Sequence, residues 1–232
     1  MLKPRVLLSW SSGKDAAWTL HLLRQAAEVE VVGLLTTLNQ ASDRVAMHSV
    51  SRSLLEQQAA AAQLPLVTAR LPWPCVNAQY EEIMSQALAD AQKQFAFTHI
   101  AFGDLFLEDV RAYRERQLSG FGLTPMFPLW GRPTAALAHE MITGGMQAVL
   151  TCVDPKRLPA SFAGRIFDHS LLDDLPDGVD PCGEQGEFHT FAYAGPMFCA
   201  PLAPIVGQVE ERDGFVFADL LADVTHSGNA WD

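Results

Sequence analysis

The sequence predicts an α/β fold built on a doubly wound parallel sheet. In the first half of the chain, apolar β-branched segments alternate with amphipathic segments of helical length. Three of these predicted strands end in polar or glycine-containing segments, at 9–15, 36–39 and 103–104. Ligands of such sheets bind beyond the carboxyl ends of the strands, beside the point where the strand order reverses. This edge of the sheet is therefore the expected binding site.

The hydrophobic pattern places the elements in order. Strands are predicted at 6–8, 29–38, 65–71 and 99–102, and helices from Ala16, at 50–63, from Asn77 and at 107–119. The β-branched run 29–38 suits the middle of a parallel sheet, and the helix from Asn77 has apolar side chains spaced three and four apart. Segment 39–45 is predicted as a turn.

The pattern changes at 125–133, where three prolines occur. We place a domain boundary there, which gives a larger domain of residues 1–130 and a smaller one of residues 131–232. A helix at 134–144 and a strand at 148–153 are predicted next, followed by irregular chain. Asp213-Gly214 predicts a β-hairpin over 207–217, and the end from His226 is expected to fray.

Composition and charge exclude several classes of protein. The chain has 232 residues and a formal net charge of −11, so no general basic surface for nucleic acid is expected. No apolar run approaches the ~20 residues of a membrane helix, and the N-terminus does not resemble a signal peptide. The four cysteines form no C-x-x-C pair. We expect a cytoplasmic protein that binds neither nucleic acid nor membrane, and a homodimer is compatible with the sequence.

The junction between the first strand and the first helix predicts an anion site. Helix N-termini present unpaired N–H groups and partial positive charge, and Lys14 adds a full charge. The junction is not a Walker A loop, because Leu8 stands where that motif has its first glycine and Asp15 where it has Ser or Thr. The alternative interpretation is an ordinary turn capped by Ser and Asp.

A second polar cluster lies at 180–191, DPCGEQGEFHTF. Glu184 and Glu187 flank Gly186, so both carboxylates can face one cavity, where they would bind a cation or act as a base. His189 could transfer a proton near neutral pH. A solvated glycine-rich turn is the alternative for any one of these residues, whereas the cluster as a whole favours a functional site.

Four motifs together resemble the diphthine–ammonia ligase family. They are the PP-loop Ser11–Ala16, Gly103-Asp104 before an arginine-containing helix, Pro128-Leu129-Trp130, and Gly183–Thr190. The resemblance runs from about Val6 to about Phe198, and the glutamate motif is its most specific part. Ser12 and Ala16 depart from the usual S-G-G-x-D-S. The alanine- and leucine-rich composition with few lysines is typical of a bacterial member.

This resemblance implies a HUP-like ATP pyrophosphatase domain, also called an adenine nucleotide alpha hydrolase, joined to a smaller α+β domain that carries the glutamate motif. It implies ATP and Mg²⁺ as cofactors, with Asp15 as the metal ligand. The residues implied to bind nucleotide are Ser9, Ser11, Ser12, Gly13, Lys14, Asp15, Thr36, Thr37, Gly103 and Asp104. For Thr36 and Thr37 the alternative is plain β-propensity.

The family reaction implies an AMP- and pyrophosphate-forming amide ligase, which adenylates a carboxylate of a protein or small molecule and transfers ammonia to it. The implied catalytic residues are Lys14, Glu184, Glu187 and His189, and the implied substrate-binding residues are His48, Arg111, Arg114 and Thr190. A solvated helix face is the alternative for the two arginines, and a helix-capping histidine for His48. The competing function is a non-catalytic nucleotide-binding module of the universal-stress-protein type; a tRNA-thiolating relative is disfavoured because paired cysteines and a basic face are missing.

Overall fold

The first half of the chain forms a mainly parallel sheet flanked by helices. A computed structural model describes residues 2–45 and 47–222. The strands are β1 (Arg5–Ser9), β2 (Glu30–Asn39), β3 (Arg44–Val45), β4 (Leu66–Leu71), β5 (His99–Ala101) and β6 (Thr124–Met126). The helices are α1 (Lys14–Ala26), α2 (Arg52–Ala61), α3 (Asn77–Phe95) and α4 (Glu108–Ser119).

The strand order confirms the predicted doubly wound sheet. The parallel strands lie in the order β4-β2-β1-β5-β6, so the chain first builds outward on one side of β1 and then on the other. Strand β3 pairs antiparallel with Leu38 and Asn39, beyond the end of β1. The reversal of strand order falls between β1 and β5, and the β1–α1 junction leaves the sheet at that point. The expected binding edge is therefore the one where residues 9–15 meet 102–104.

The two faces of this sheet have different coverings. Helices α3 and α4 cover one face over a core that includes Leu35, Leu88, Ile100 and Leu118. The other face belongs to a larger core that includes Leu20 of α1 and residues from the second half of the chain. The halves therefore share buried apolar contacts, and the boundary near residue 130 stays a prediction.

The second half forms an antiparallel sheet. Its strands are β7 (Gln147–Val153), β8 (Phe188–Ala194), β9 (Ile205–Arg212) and β10 (Phe215–Leu221), in the order β8-β7-β10-β9. The helices are α5 (Thr134–Thr143) and the short α6 (His169–Asp173). Asp213 and Gly214 join β9 and β10 with φ angles of 53° and 79°. This is the predicted hairpin, since a two-residue turn of this type needs positive φ at both positions.

Three strands differ from the prediction. Residues 188–194 form β8 rather than loop; the segment shows no polar–apolar alternation, and His189 and Thr190 interrupt its apolar run. Pro125 lies inside β6, which among the described strands pairs with β5 alone, and at such an edge the missing proline N–H is tolerated. The predicted turn at 39–45 contains the two-residue strand β3, which is too short to show a periodicity.

Helix bounds also shift slightly. Helix α1 begins at Lys14 rather than Ala16, and α2 begins at Arg52 after the N-cap Ser51. The residues from His226 onward lie outside those that the structure describes. Within the described ranges, no helix has both the length and the apolar character needed to cross a membrane.

Candidate active site

The phosphate loop and the glutamate motif meet in one cavity of about 250 Å³, here called the phosphate-loop cavity. It lies at the carboxyl ends of β1 and β5, and the second half of the chain closes it from above the N-terminus of α1. Its polar lining consists of Ser9, Ser11, Lys14, Asp15, His48, Asp104, Arg114, Cys182, Glu184, His189 and Thr190. Residues 176 positions apart in the sequence touch here, since the Lys14 amide donates to Thr190 Oγ1 at 3.0 Å.

The backbone of the phosphate loop is held by a buried network. Gln58 Nε2 donates to the carbonyl oxygen of Ser12 at 2.9 Å, and the Ala192 amide of β8 donates to the same oxygen at 3.0 Å. The Trp10 indole N–H donates to Gln58 Oε1 at 2.9 Å. Gly13 packs so closely on His48 and Thr190 that a Cβ there would lie 2.8 Å from the His48 ring. The loop is thus fixed in place by α2 and β8.

Ser12 occupies a position that favours glycine. Its φ of 72° is left-handed, which costs an L-residue about 1–2 kcal/mol. Its hydroxyl is buried and has no hydrogen-bond partner among the residues that the structure describes. The glycine of the usual PP-loop motif is explained by this backbone conformation, and Ser12 keeps the conformation at a cost in stability.

We therefore expect Ser12→Gly to stabilise the fold. Relief of the left-handed strain and removal of the unpaired hydroxyl outweigh the added chain entropy, so the free energy of unfolding should rise by about 1 kcal/mol. Urea unfolding measures it. Ser11→Gly is the matched control: it should not stabilise, because Ser11 Oγ accepts the Gly13 amide at 3.3 Å. An unchanged or lower stability of Ser12→Gly would contradict the strain argument.

Lys14 is buried and points toward the glutamate motif. Its Nζ donates to the two carboxylate oxygens of Asp15, at 3.0 and 2.8 Å, and to the Cys182 carbonyl. The rings of Phe167 and Phe188 lie 5.6 and 5.4 Å from the ammonium. Burial lowers the pKa of Lys14, but Asp15 and the other nearby groups, Glu184 among them, together raise it above its usual value. Lys14 is therefore a protonated link between the two motifs.

The two predicted glutamates have different surroundings. Glu184 lines the cavity, and its Oε1 accepts the Leu105 amide at 2.8 Å. Burial, with Asp15 and Asp104 nearby, raises the pKa of Glu184 to about 7. Glu187 does not line the cavity and is fully buried. Of the two predicted glutamates, Glu184 is therefore the one on the cavity wall.

Glu187 organises the loop that carries Glu184. Its carboxylate accepts the amides of Asp180 and Gln185, at 3.2 and 3.0 Å, and the guanidinium of Arg157 at 3.1 Å. Asp180 in turn accepts the Glu184 amide at 2.9 Å. A buried carboxylate with several N–H donors fixes loop geometry, so Glu187 determines where the Glu184 side chain begins.

His48 and His189 face each other at the cavity wall, with ring centroids 4.8 Å apart. His48 Nδ1 lies 2.9 Å from the Thr190 carbonyl oxygen; because a carbonyl only accepts, Nδ1 carries the hydrogen. Burial is the main reason why the pKa of His48 falls to about 4 and that of His189 to about 3, and Lys14 lowers both further. Both imidazoles are neutral at pH 7.

The two predicted arginines differ in their positions relative to the cavity. Arg114 lines the cavity, pairs with both oxygens of Asp104 at 2.5 and 3.1 Å, and lies 4.4 Å from the Phe102 ring centroid. Arg111 lies instead over the rings of Phe127 and Trp130, outside the cavity.

The two predicted threonines also lie outside the cavity. Thr36 is buried and donates its hydroxyl hydrogen to the Trp10 carbonyl at 2.6 Å, and Thr37 does not line the cavity. Gly103 does line it and packs on α1 so tightly that a Cβ would lie 2.9 Å from the Asp15 carbonyl carbon. This close approach requires glycine.

A larger cleft of about 510 Å³ adjoins the phosphate-loop cavity, between α3 and α4. The two spaces share Ser9, Phe102 and Arg114 as lining residues. The floor of this α3–α4 cleft is apolar and its walls carry hydroxyl and amide groups. Its other lining residues include Leu35, Tyr80, Met84, Ser85, Leu88, Ile100, Tyr113 and Gln117.

Two family models match the chain in tandem. The diphthamide synthase N-terminal domain matches residues 4–125, and the diphthamide synthase C-terminal domain matches residues 133–212. The chain belongs to the diphthamide synthase family. It is accordingly an enzyme of the carbon–nitrogen ligase class, and the match of both models disfavours a nucleotide-binding module that shares only the first half.

Curated relatives in this family carry the name diphthine–ammonia ligase. The protein from Danio rerio is 27% identical over 215 residues, which are 84% of this chain and 84% of the relative. The protein from Rattus norvegicus is 25% identical over 84% of this chain and 80% of its own length. That from Bos taurus is 24% identical over 92% and 88%. The similarity therefore spans both halves.

Among solved structures, the crystal structure of a predicted subunit of tRNA methyltransferase from Methanocaldococcus jannaschii DSM aligns with 60% of this chain and 74% of its own. The TM-score is 0.37 and the identity 16%, a likeness too loose to support an argument.

The sequence analysis did not identify two sets of residues at this site: those that hold the phosphate loop in place and those that line the α3–α4 cleft. Gln58 is a buried amide on the apolar side of α2, beside Leu54, Leu55 and Ala59. A lone polar residue on such a face is a detectable signal of a buried hydrogen-bond network. Tyr80 and Tyr113 gave no such signal, because aromatic residues at helical spacing also fit an ordinary core.

Proposed function

We propose that this chain is an ATP-dependent amide ligase that activates a carboxylate as an acyl-adenylate and transfers ammonia to it. The observation that carries the proposal is the position of Glu184. A carboxyl group whose pKa is near neutral stands in the same cavity as the phosphate loop, although the two come from opposite halves of the chain. A nucleotide-binding module has no need of such a group, whereas an amide-forming enzyme needs a base for the attacking amine.

The proposed reaction has two balanced steps. In the first, a substrate carboxylate oxygen bonds to the α-phosphorus of ATP, and the bond to the leaving pyrophosphate breaks. In the second, the ammonia nitrogen bonds to the acyl carbon, the carbon–oxygen bond to AMP breaks, and one proton passes to Glu184. The products are an amide, AMP and pyrophosphate. The name diphthine–ammonia ligase, which the relatives carry, supports ammonia as the nitrogen donor.

The nucleotide is proposed to span the two adjoining spaces. The phosphates suit the polar cavity at the N-terminus of α1, where the helix dipole and the polar lining favour anions. The nucleoside suits the α3–α4 cleft, whose apolar floor and polar walls match a planar base with hydrogen-bonding edges. This placement uses Leu35 of β2 rather than Thr36, whose hydroxyl is already bonded.

Magnesium fits this site only together with the nucleotide. Among the described residues, no group of three or more His, Cys, Asp or Glu side chains could hold a metal ion. Mg²⁺ is commonly bound by one or two carboxylates plus substrate phosphates and water, and Asp15 on the cavity wall suits that mode. Bound there, the ion would offset phosphate charge. Because Lys14 occupies both oxygens of Asp15, Asp15 could serve only if it shared or exchanged that ion pair.

The substrate carboxylate is proposed to approach past Arg114, the guanidinium at the junction of the two spaces. Its pairing with Asp104 holds the guanidinium in place. The relatives are named for diphthine, and we propose for this chain a carboxylate of a protein or small molecule. Incubation with α-labelled ATP, Mg²⁺, ammonium and a cell extract tests the function: AMP and pyrophosphate should form, and absence of AMP above a Glu184→Gln control would refute it.

Filling the α3–α4 cleft should weaken nucleotide binding selectively. Ser85 lines the cleft from α3, so Ser85→Trp should place an indole where the base would lie. We expect ATP affinity to fall by at least about tenfold, ~1.4 kcal/mol, while pyrophosphate affinity stays the same. Calorimetry of both ligands provides the measurement.

The neighbouring variant Gln86→Trp is the matched control, because Gln86 is exposed and does not line the cleft. It should bind ATP as the wild type does. Equal ATP affinity in Ser85→Trp and Gln86→Trp would place the base elsewhere. Loss of pyrophosphate binding in Ser85→Trp would indicate general damage to the site.

A further inference from the structure

The cavity contains a pair of imidazoles that the reaction above leaves unused. His48 and His189 both line the phosphate-loop cavity and face each other across 4.8 Å. His48 donates from Nδ1 to the Thr190 carbonyl, which leaves its Nε2 with a free lone pair. Within the part of the chain that the structure describes, no hydrogen bond engages the ring of His189. Every neutral imidazole has one acceptor nitrogen, so the pair offers two.

From this arrangement we infer that His48 and His189 form the binding site of the nitrogen donor, and that the site takes neutral ammonia rather than ammonium. The inference rests on the proposed amide-ligase function and refines it. The rings are too close together to admit a molecule between them, so ammonia would lie on the cavity side of both, where it can donate N–H bonds to their acceptor nitrogens. Its lone pair then stays free for attack on the acyl carbon.

The charges around the cavity support selection of the neutral form. The ionisable or charged side chains that line it are Lys14, Asp15, His48, Asp104, Arg114, Cys182, Glu184 and His189. Asp15 is paired with Lys14, and Asp104 is paired with Arg114. Glu184 is only partly ionised at pH 7 because burial raises its pKa to about 7. The cavity therefore has little uncompensated negative charge to hold an ammonium ion.

The surroundings of the two histidines also disfavour positive charge at this wall. Burial and Lys14 hold both rings in their uncharged form, although each ring could accept a proton in water. A cation at the same wall meets the same burial and the same ammonium of Lys14. Lys14 keeps its proton in the same cavity because Asp15 is its partner, whereas an ammonium ion at the histidine wall would have the burial and the Lys14 charge without such a partner, which favours loss of its proton to solvent or to Glu184.

The second facing pair of histidines serves as an internal control. His139 of α5 and His169 of α6 lie with their rings 5.1 Å apart, but both are exposed and neither lines the cavity. They form a facing pair as well, although their Nδ1 atoms lie 3.1 Å apart, and they lack the burial and the nearby Lys14. A response confined to His48 and His189 would thus come from the cavity rather than from paired imidazoles as such.

The experiment is a histidine NMR titration without nucleotide. Protein labelled with ¹³C in its histidine rings is titrated with ammonium chloride at pH 6.5, 7.5 and 8.5 in the presence of EDTA, with potassium chloride as the salt control. The signals of His48 and His189 should shift saturably. The total ammonium at half-saturation should fall about tenfold per pH unit, as the fraction of ammonia rises. The signals of His139 and His169 should follow the potassium control.

Variants complete the design. His189→Phe keeps a ring at the wall and removes its nitrogens, so the His48 signal should need much more ammonium to shift; His169→Phe should change nothing. A half-saturation point independent of pH would show that the ion binds, and no selective response would show that nothing binds; either result overturns the inference. Because ATP is absent, a failure here is distinct from a failure of ATP binding, which calorimetry measures separately.

Discussion

Glu184→Gln should lower the rate of amide formation by roughly 10²–10⁴-fold, the usual scale for loss of a general base. The amide cannot take the proton from the attacking nitrogen, whereas its oxygen can still accept the Leu105 amide. ATP affinity should stay near the wild-type value, because the substitution removes negative charge and no phosphate contact. Release of AMP in the presence of the carboxylate substrate gives the rate, and calorimetry gives the affinity.

The pH dependence of the same reaction follows from the direction of the pKa shift. Because burial raises the pKa of Glu184 to about 7, its basic form increases as the pH rises through about 7. The wild-type rate should rise over that pH range when the concentration of free ammonia is held constant. The residual rate of Glu184→Gln should not show this rise. An equal rise of the rate with pH in both proteins would assign the titration to another group.

Stability provides a further check on Glu184. A carboxyl group with a raised pKa in the folded state costs stability once the pH exceeds its value in the unfolded chain. Glu184→Gln removes that cost at pH 7, so the variant should unfold at a temperature no lower than the wild type. A large loss of stability would indicate a structural rather than a chemical role.

The sequence predicted most of the first sheet because its elements follow simple periodicities. Buried parallel strands such as β2 appear as continuous apolar runs, and α3 shows a regular apolar stripe. The family resemblance also predicted that the phosphate loop and the glutamate motif share a site. Strand β8 could not be predicted in the same way, because it lacks alternation and the polar His189 and Thr190 interrupt its apolar run.

The different surroundings of Glu184 and Glu187 could not be predicted from their spacing. Both were expected in the cavity, since two carboxylates around a glycine can face the same side. The structure separates them because Glu187 meets the amides of Asp180 and Gln185, contacts that depend on the tertiary path of the loop. The contacts of Lys14 could not be predicted for the same reason. Its charge is evident in the sequence, but the Cys182 carbonyl to which it donates lies 168 positions away.

Glu187→Gln should have its main effect on stability. Glu187 is fully buried, and its oxygens accept two amides and the Arg157 guanidinium. Glutamine replaces one acceptor oxygen by an NH₂ group that faces an N–H donor, so at least one charge-assisted bond is lost. We expect a loss of roughly 1.5–3 kcal/mol, which corresponds to a melting temperature lower by about 3–12 °C for a chain of this size. Differential scanning calorimetry gives the value.

Arg157→Gln is the graded control, because Arg157 is 40% exposed and its removal leaves both amide contacts of Glu187 in place. It should lower the melting temperature less than Glu187→Gln does. Turnover of Glu187→Gln should also fall, since the loop that positions Glu184 is loosened, but ATP affinity should be kept. If Glu187→Gln instead melted like the wild type and lost turnover as fully as Glu184→Gln, Glu187 would act in the chemical step. Loss in stability without an equal loss in turnover would establish it as the residue that holds the loop.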